Sequence, residues 1–274
     1  MKRTRKLLLM MVLILALTLG LTTVTGAITN GKPDGNNHPY VVMIVFYDST
    51  NTPRWRCSGS LVSSKVVLTA GHCTTDDLGG SMPRAQVWVQ PDMAGTGYPF
   101  KGGTWGVPHT NPNYNKNPYP AGNGLPAFSY RDVGVVVLDR PIKLSQYAQL
   151  PIAGLVDTLK NKTKVDFVGY GVQEQIHGGG MPEWDNMKVR MYAPGELVSG
   201  SFVHSDGYMR LSLNPGGDSG GTCFGDSGGP DLLGATRTVL AVNSYVTNSN
   251  CSGVGYSARV DIPEVLTWIR SYIK

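Results

Sequence analysis

Cysteine is sparse in this chain, with four residues among 274, and no two of them form a Cys-x-x-Cys pair. Zinc ribbons and fingers need closely spaced thiolates, so no metal site is expected. A strong net charge is missing as well. The formal +5 comes mostly from Lys2, Arg3, Arg5 and Lys6; beyond residue 27 the balance is 20 basic against 19 acidic side chains. That balance offers no electrostatic footing for a nucleic-acid or membrane partner. No long helical period appears in the middle of the chain, and the one long apolar run, Leu7 to Leu21, is short for a spanning helix.

What is present begins with that run. Four bases precede it and small residues ending in Thr25-Gly26-Ala27 follow, the order of a secretory signal peptide rather than an uncleaved anchor. The expected organisation is a signal over residues 1–27 and a globular remainder of 247 residues from Ile28. That length suits one large β domain or two small ones, in a secreted protein. An even number of cysteines in an exported chain favours disulfides, but Cys57, Cys73, Cys223 and Cys251 allow three pairings and spacing does not choose among them.

Short valine- and aromatic-rich segments bounded by turn residues read as strands: Tyr40–Tyr47, Val66–Leu68, Ala85–Val89, Val133–Leu138, Val165–Val168 and Val239–Val246. Asp92 to Tyr130 carries Pro99, Pro108, Pro112, Pro118, Pro120 and Pro126. Proline breaks sheet ladders, so this stretch is expected to form surface loops, either shaping a cleft or tolerated as an insertion. Ile262, Val265, Leu266, Ile269, Tyr272 and Ile273 recur at helical spacing behind Asp261, the expected N-cap, and Pro263 in the first turn. One amphipathic helix should therefore end the chain.

Amide hydrolysis near neutral pH needs an activated nucleophile, a base, a group to orient the base and donors for the developing oxyanion. Gly225-Asp226-Ser227-Gly228-Gly229-Pro230 is a tight turn able to present a hydroxyl and a backbone N–H together. A near-copy, Gly217-Asp218-Ser219-Gly220-Gly221, lies eight residues earlier.

Thr69-Ala70-Gly71-His72-Cys73, Arg131-Asp132-Val133-Gly134 and Cys223 to Pro230 stand in the order His, Asp, Ser. Together they resemble the three catalytic motifs of the chymotrypsin/trypsin-like serine proteases. Ser58-Gly59-Ser60-Leu61-Val62 is similar to the family's strand before the histidine, Ser244-Tyr245 to its substrate-binding strand, and Trp268-Ile269 to a pair in its last helix. The resemblance implies an all-β fold of two antiparallel six-stranded barrels with a C-terminal helix, the boundary falling near residues 145–160. It implies a serine endopeptidase in which Ser227 attacks, His72 is the base, Asp132 orients it, and the N–H groups of Gly225 and Ser227 hold the oxyanion. It also pairs Cys57 with Cys73 and Cys223 with Cys251. Ser219 lacks the cysteine before and the proline after that mark the serine motif.

By the same resemblance, Ile28-Thr29-Asn30-Gly31 is similar to the freed amino terminus that pairs with the acid before the nucleophile, here Asp226. Because Ile28 directly follows Ala27, export itself is expected to activate the chain without a separate propeptide. The specificity pocket is expected from Gly221, Thr222, Ser244, Tyr245, Val246 and Gly255. It contains no acid to pair with a buried cation, so small or medium apolar side chains are expected over Lys or Arg. Protein or peptide substrates are the expected partners of a monomer that uses no cofactor. A catalytically silent protease-shaped binding protein and an esterase are the competing readings. His38, His109, His177 and His204 lie in no comparable motif, and Asp139 is expected in a turn beside Arg140 and Pro141.

Overall fold

The computed structural model of the chain describes residues 28–76, 79–116, 130–171, 175–176, 183–184, 188–198, 207–214, 219–247 and 251–273. The expected signal peptide, His177, His204, Asp218, and Pro118, Pro120 and Pro126 lie outside them. Fifteen strands are described, in the order β1 (Lys32–Pro33), β2 (Val41–Tyr47), β3 (Pro53–Leu61), β4 (Val66–Thr69), β5 (Arg84–Trp88), β6 (Thr104–Thr110), β7 (Gly134–Leu138), β8 (Lys164–Gly169), β9 (Gln175–Ile176), β10 (Glu183–Trp184), β11 (Met191–Glu196), β12 (Tyr208–Ser212), β13 (Pro230–Leu233), β14 (Val239–Val246) and β15 (Val254–Arg259).

β2, β3, β4, β7, β6 and β5 close into an antiparallel barrel in that order. β2 reads Val-Val-Met-Ile-Val-Phe-Tyr and is buried at every position. A strand apolar without alternation is one covered on both faces, and β2 also packs against β8 of the second sheet. That second sheet runs β1-β11-β8-β13-β14-β15-β12. Six of its strands curl until Leu211 of β12 bridges Leu197, just past β11. The expected architecture of two antiparallel six-stranded units therefore stands, the second drawn together by one bridge instead of a full ladder.

Part of the stretch expected as loops is a barrel strand. β6 contains Pro108, but it pairs with β5 only over Thr104–Gly106 and with β7 over Gly106–Thr110. Pro108 thus lies where the strand has one neighbour, the kind of position a sheet can give to proline. The C-terminal helix, Pro263–Arg270, buries Val265, Leu266 and Ile269 as its period requires. Its cap differs from expectation: the N-cap is Ile262, with no side-chain cap bond. Asp261 is fully buried and its oxygens accept from Arg259 Nε (2.9 Å) and the Val156 N–H (2.8 Å), so they are not available to the helix.

One apolar cluster joins Val41–Tyr47 of the barrel to Val168, Tyr170 and Val242 of the second sheet and to Val265 and Ile269 of the helix. The two sheets therefore meet along a continuous core, which fixes what each presents at the seam. Among the described residues, no helix is long and apolar enough to cross a membrane.

Candidate active site

His72 sits on the one-turn helix Gly71–Thr74 that follows β4. A side chain at Gly71 would meet the Tyr114 ring at 2.9 Å, Val133 N at 3.1 Å and Asp132 Oδ1 at 3.2 Å, so the absence of one lets the histidine turn close on the segment before β7. Asp132 enters from that segment, fully buried. Its Oδ1 accepts the His72 backbone N–H (2.7 Å), while Oδ2 faces His72 Nδ1 (2.8 Å) and accepts from Ser244 Oγ (2.5 Å). Arg131, in the left-handed region at φ 53°, is held by Glu264 at 2.5 Å and lies over the Tyr130 ring.

Burial alone would push the Asp132 carboxyl up, but the charge of His72 and the bonds from His72 and Ser244 outweigh it and hold the group below the usual carboxylate range. Burial pulls His72 down; the charge and hydrogen bond of Asp132 more than restore it, leaving the imidazole raised above its ordinary value. With Nδ1–H directed at the carboxylate, Nε2 is the nitrogen left to accept a proton. Ser227 and His72 line one cleft of about 550 Å³. Among the described residues no hydrogen bond joins Ser227 Oγ to Nε2, and in unliganded enzymes such bonds are often long.

The Ser227 turn is clamped from beneath. Gly228 N donates to Asn243 O (2.8 Å), Asn243 N to Gly229 O (2.9 Å) and Ser58 N to Ser227 O (2.8 Å). Gly225 and Gly228 take positive φ, 93° and 76°, and a Cβ on Gly228 would stand 2.1 Å from Thr69 Oγ1. Asp226 points inward, fully buried, accepting from Gly171 N (2.8 Å) and Cys223 N (2.9 Å). Burial pushes its carboxyl up to about 7, against the pull of those N–H groups and of the Arg56 charge. Gly169 and Gly171 make room for it, since a Cβ on either would come within 2.5 Å of its oxygens.

Ile28 is buried among Val165, Phe167 and Met191. The segment after it clips onto the turn's flank: Gly221 N donates to Thr29 O (3.1 Å) and Asn30 Nδ2 to Ser219 O (2.7 Å). In the full-length chain Ile28 N is an amide, and among the described residues Asp226 accepts from the two N–H groups just given. Ser219, the rival nucleophile, thus lies where the amino-terminal segment docks; the residues lining the cleft beside His72 include Ser227 and not Ser219. The disulfides are Cys57–Cys73 and Cys223–Cys251. Asp139 pairs with Arg84 (2.5 Å), not within its own turn, and His38 and His109 lie against Asp34 and Tyr272.

Ser227 also lines a second cavity, of about 190 Å³, together with Thr222, Phe224, Asn243, Ser244, Tyr245 and Val246 among others. Gly221 and Gly255 are not among its lining residues. Both face the fully buried Leu213, whose atoms lie 2.6 and 3.0 Å from where their Cβ atoms would stand. Sequence reasoning missed Leu213, Arg56, the carboxylate-accommodating Gly169 and Gly171, and the bond from Ser244 to Asp132. Apart from Leu213, eight residues before Gly221, each lies far along the chain from the motif it serves, and none carries a local signal.

Residues 28–269 match the protein family described as Trypsin. The chain is similar to Serine protease 1 of Drosophila melanogaster, 25% identical over 259 residues that cover 90% of this chain and 86% of the fly protein. It is also similar to human chymotrypsin-like elastase family member 3A, 28% identical over 212 residues, 71% of this chain and 72% of that one. Among solved structures, an HL collagenase superposes with a TM-score of 0.63 at 17% identity, covering 89% of this chain and 97% of its own. Human heparin binding protein gives 0.61 at 18% identity, with 89% and 96% covered; at these identities both speak for the fold alone.

Proposed function

The chain belongs to the trypsin family of serine proteases, and we propose that it is a secreted endopeptidase working through His72, Asp132 and Ser227. The observation that carries this reading is the His72 Nδ1–Asp132 Oδ2 contact of 2.8 Å, beneath a cleft that His72 shares with Ser227. Ser227 Oγ attacks the scissile carbonyl as His72 Nε2 takes its proton. Asp132, already anionic and buried, stabilises the imidazolium and keeps its orientation. The N–H groups of Gly225 and Ser227 receive the oxyanion. His72 then protonates the leaving amine, and water repeats the sequence on the acyl-enzyme.

In this reading residues 1–27 leave on export, and the freed Ile28 ammonium pairs with Asp226. A buried acid without a cation, raised to about 7, is only about half ionised near pH 7; an ammonium beside it restores the anion and stiffens the turn that carries Gly225. Substrates are proteins or peptides with a small or medium apolar side chain before the scissile bond. The 190 Å³ cavity has no acid among its described lining residues, and Val246 stands on its wall. No cofactor enters the mechanism, and the chain acts as a monomer.

Fluorophosphonate labelling of the secreted protein tests the assignment. Wild type and Ser219→Ala should label and turn over peptide; Ser227→Ala should do neither. Labelling that follows Ser219 would overturn it, and a folded wild type that never labels would favour a silent binding protein.

A further inference from the structure

Arg56 lies on β3 and lines the 550 Å³ cleft together with His72 and Ser227. Its guanidinium rests on the oxyanion turn, with Nε 3.4 Å and Nη2 3.5 Å from where a Gly225 Cβ would stand. Tyr98 takes one of its hydrogen bonds. Nη1 is buried and has no hydrogen-bond partner among the described residues. Among the described carboxylates, Asp226 feels the Arg56 charge but accepts its hydrogen bonds from Gly171 and Cys223 behind Gly225, and Asp76, also on the cleft wall, accepts from Gly80 N (2.6 Å). A charged donor withdrawn from water and left without an acceptor is costly. Nη1 itself is covered, but the Arg56 side chain lines the cleft, and a carboxylate bound there meets the guanidinium charge in the strong, charge-assisted way.

The side of the substrate follows from the chemistry. The two cavities meet at Ser227, and of the two only the larger is lined by His72. The leaving amine must receive its proton from His72, so the half of the substrate after the scissile bond lies in the cleft that Arg56 lines. Arg56 sits on Gly225, two positions from Ser227, and an extended chain advances about 3.4 Å per residue. That reach is one or two residues.

We propose that Arg56 is a specificity-determining residue that selects Asp or Glu at the first or second position after the scissile bond. The proposal rests on the proteolytic reading above, so its test includes a measurement that does not need turnover. Matched peptides carry Asp or Lys at those two positions behind a common apolar residue, and their binding to the Ser227→Ala chain is followed by fluorescence anisotropy. The Asp peptide should bind at least tenfold more tightly; Arg56→Gln in the same background should level the pair, and Arg56→Glu should invert it. Equal binding by the Arg56-containing chain, or an acidic preference that survives Arg56→Gln, overturns the proposal. Active wild type is then given the same peptides, with kcat/KM normalised to fluorophosphonate-titrated sites, and the Asp/Lys ratio should again be tenfold or more. Selective binding without turnover or labelling would sink the proteolytic reading and leave the acidic subsite standing.

Discussion

At the scale of single residues, two buried acids sit in opposite charge states because of what surrounds them. Asp132 receives three hydrogen bonds and faces an imidazole, and is held ionised. Asp231 on β13, equally buried, has neither carboxyl oxygen hydrogen-bonded among the described residues, and desolvation pushes it up to about 8 against the pull of the nearby Ser257 hydroxyl. The folded chain therefore keeps a proton on Asp231 that the unfolded chain releases near the ordinary carboxylate value of 3.8. Stability falls as pH rises between those two values, by up to about 1.4 kcal/mol per unit, and is level above them. Asp231→Asn should remove that slope and raise stability at pH 8 more than at pH 5, measured by denaturant unfolding at both. Asp132→Asn should lower kcat by a factor on the order of 10⁴. It should also move the acid limb of the rate profile to lower pH, because the interactions that raise His72 are lost; an unmoved limb would separate that limb from His72.

At the scale of elements, the Ser227 turn is clamped by β3 and β14 and flanked by the amino-terminal arm. If the Ile28 ammonium holds Asp226, its pKa rises above the ordinary amino-terminal value of about 7.7–8.0. The ion pair is then lost as pH rises through that raised value, giving an alkaline limb. A chain beginning at Ala27 should be less active than one beginning at Ile28 by a hundredfold or more, comparable to losing an oxyanion donor; comparing kcat/KM of the two purified forms checks this. On β14, Val246 stands in the wall of the smaller cavity. Val246→Gly should shift the preference before the scissile bond from small aliphatic towards aromatic side chains, read from paired chromogenic peptides.

At the scale of the whole molecule, a single buried ion pair ties the amino-terminal arm to both sheets. Arg190, just before β11, pairs with Asp34 at 2.8 Å, both fully buried. It also donates to Val41 O (3.0 Å) and Val89 O (3.2 Å) of the barrel side and to Gly35 O (3.2 Å) of the arm. Burial would push Asp34 up, but His38 and Arg190 outweigh it and hold it low. Removing one member strands the other, so Asp34→Ala should cost about 3–5 kcal/mol, while Asp34→Leu with Arg190→Met should recover most of that loss. Chemical denaturation of the three proteins measures both.

What the sequence determined by itself was whatever is local. A run of seven apolar residues makes β2, a 3.6-residue period makes the last helix, and three short motifs in fixed order mark the proposed triad. Glycines around Ser227 permit its turn because left-handed φ is cheap only for them. What only the tertiary structure decided depends on neighbours distant in the chain. Pro108 joins a strand because one flank is free, and Asp261 leaves its helix uncapped because Arg259 and Val156 claim its oxygens. Ser244 reaches across 112 residues to Asp132, and Arg56 comes to rest on Gly225. Electrostatic environment and close approach are properties of the assembled seam, and no window of sequence contains them.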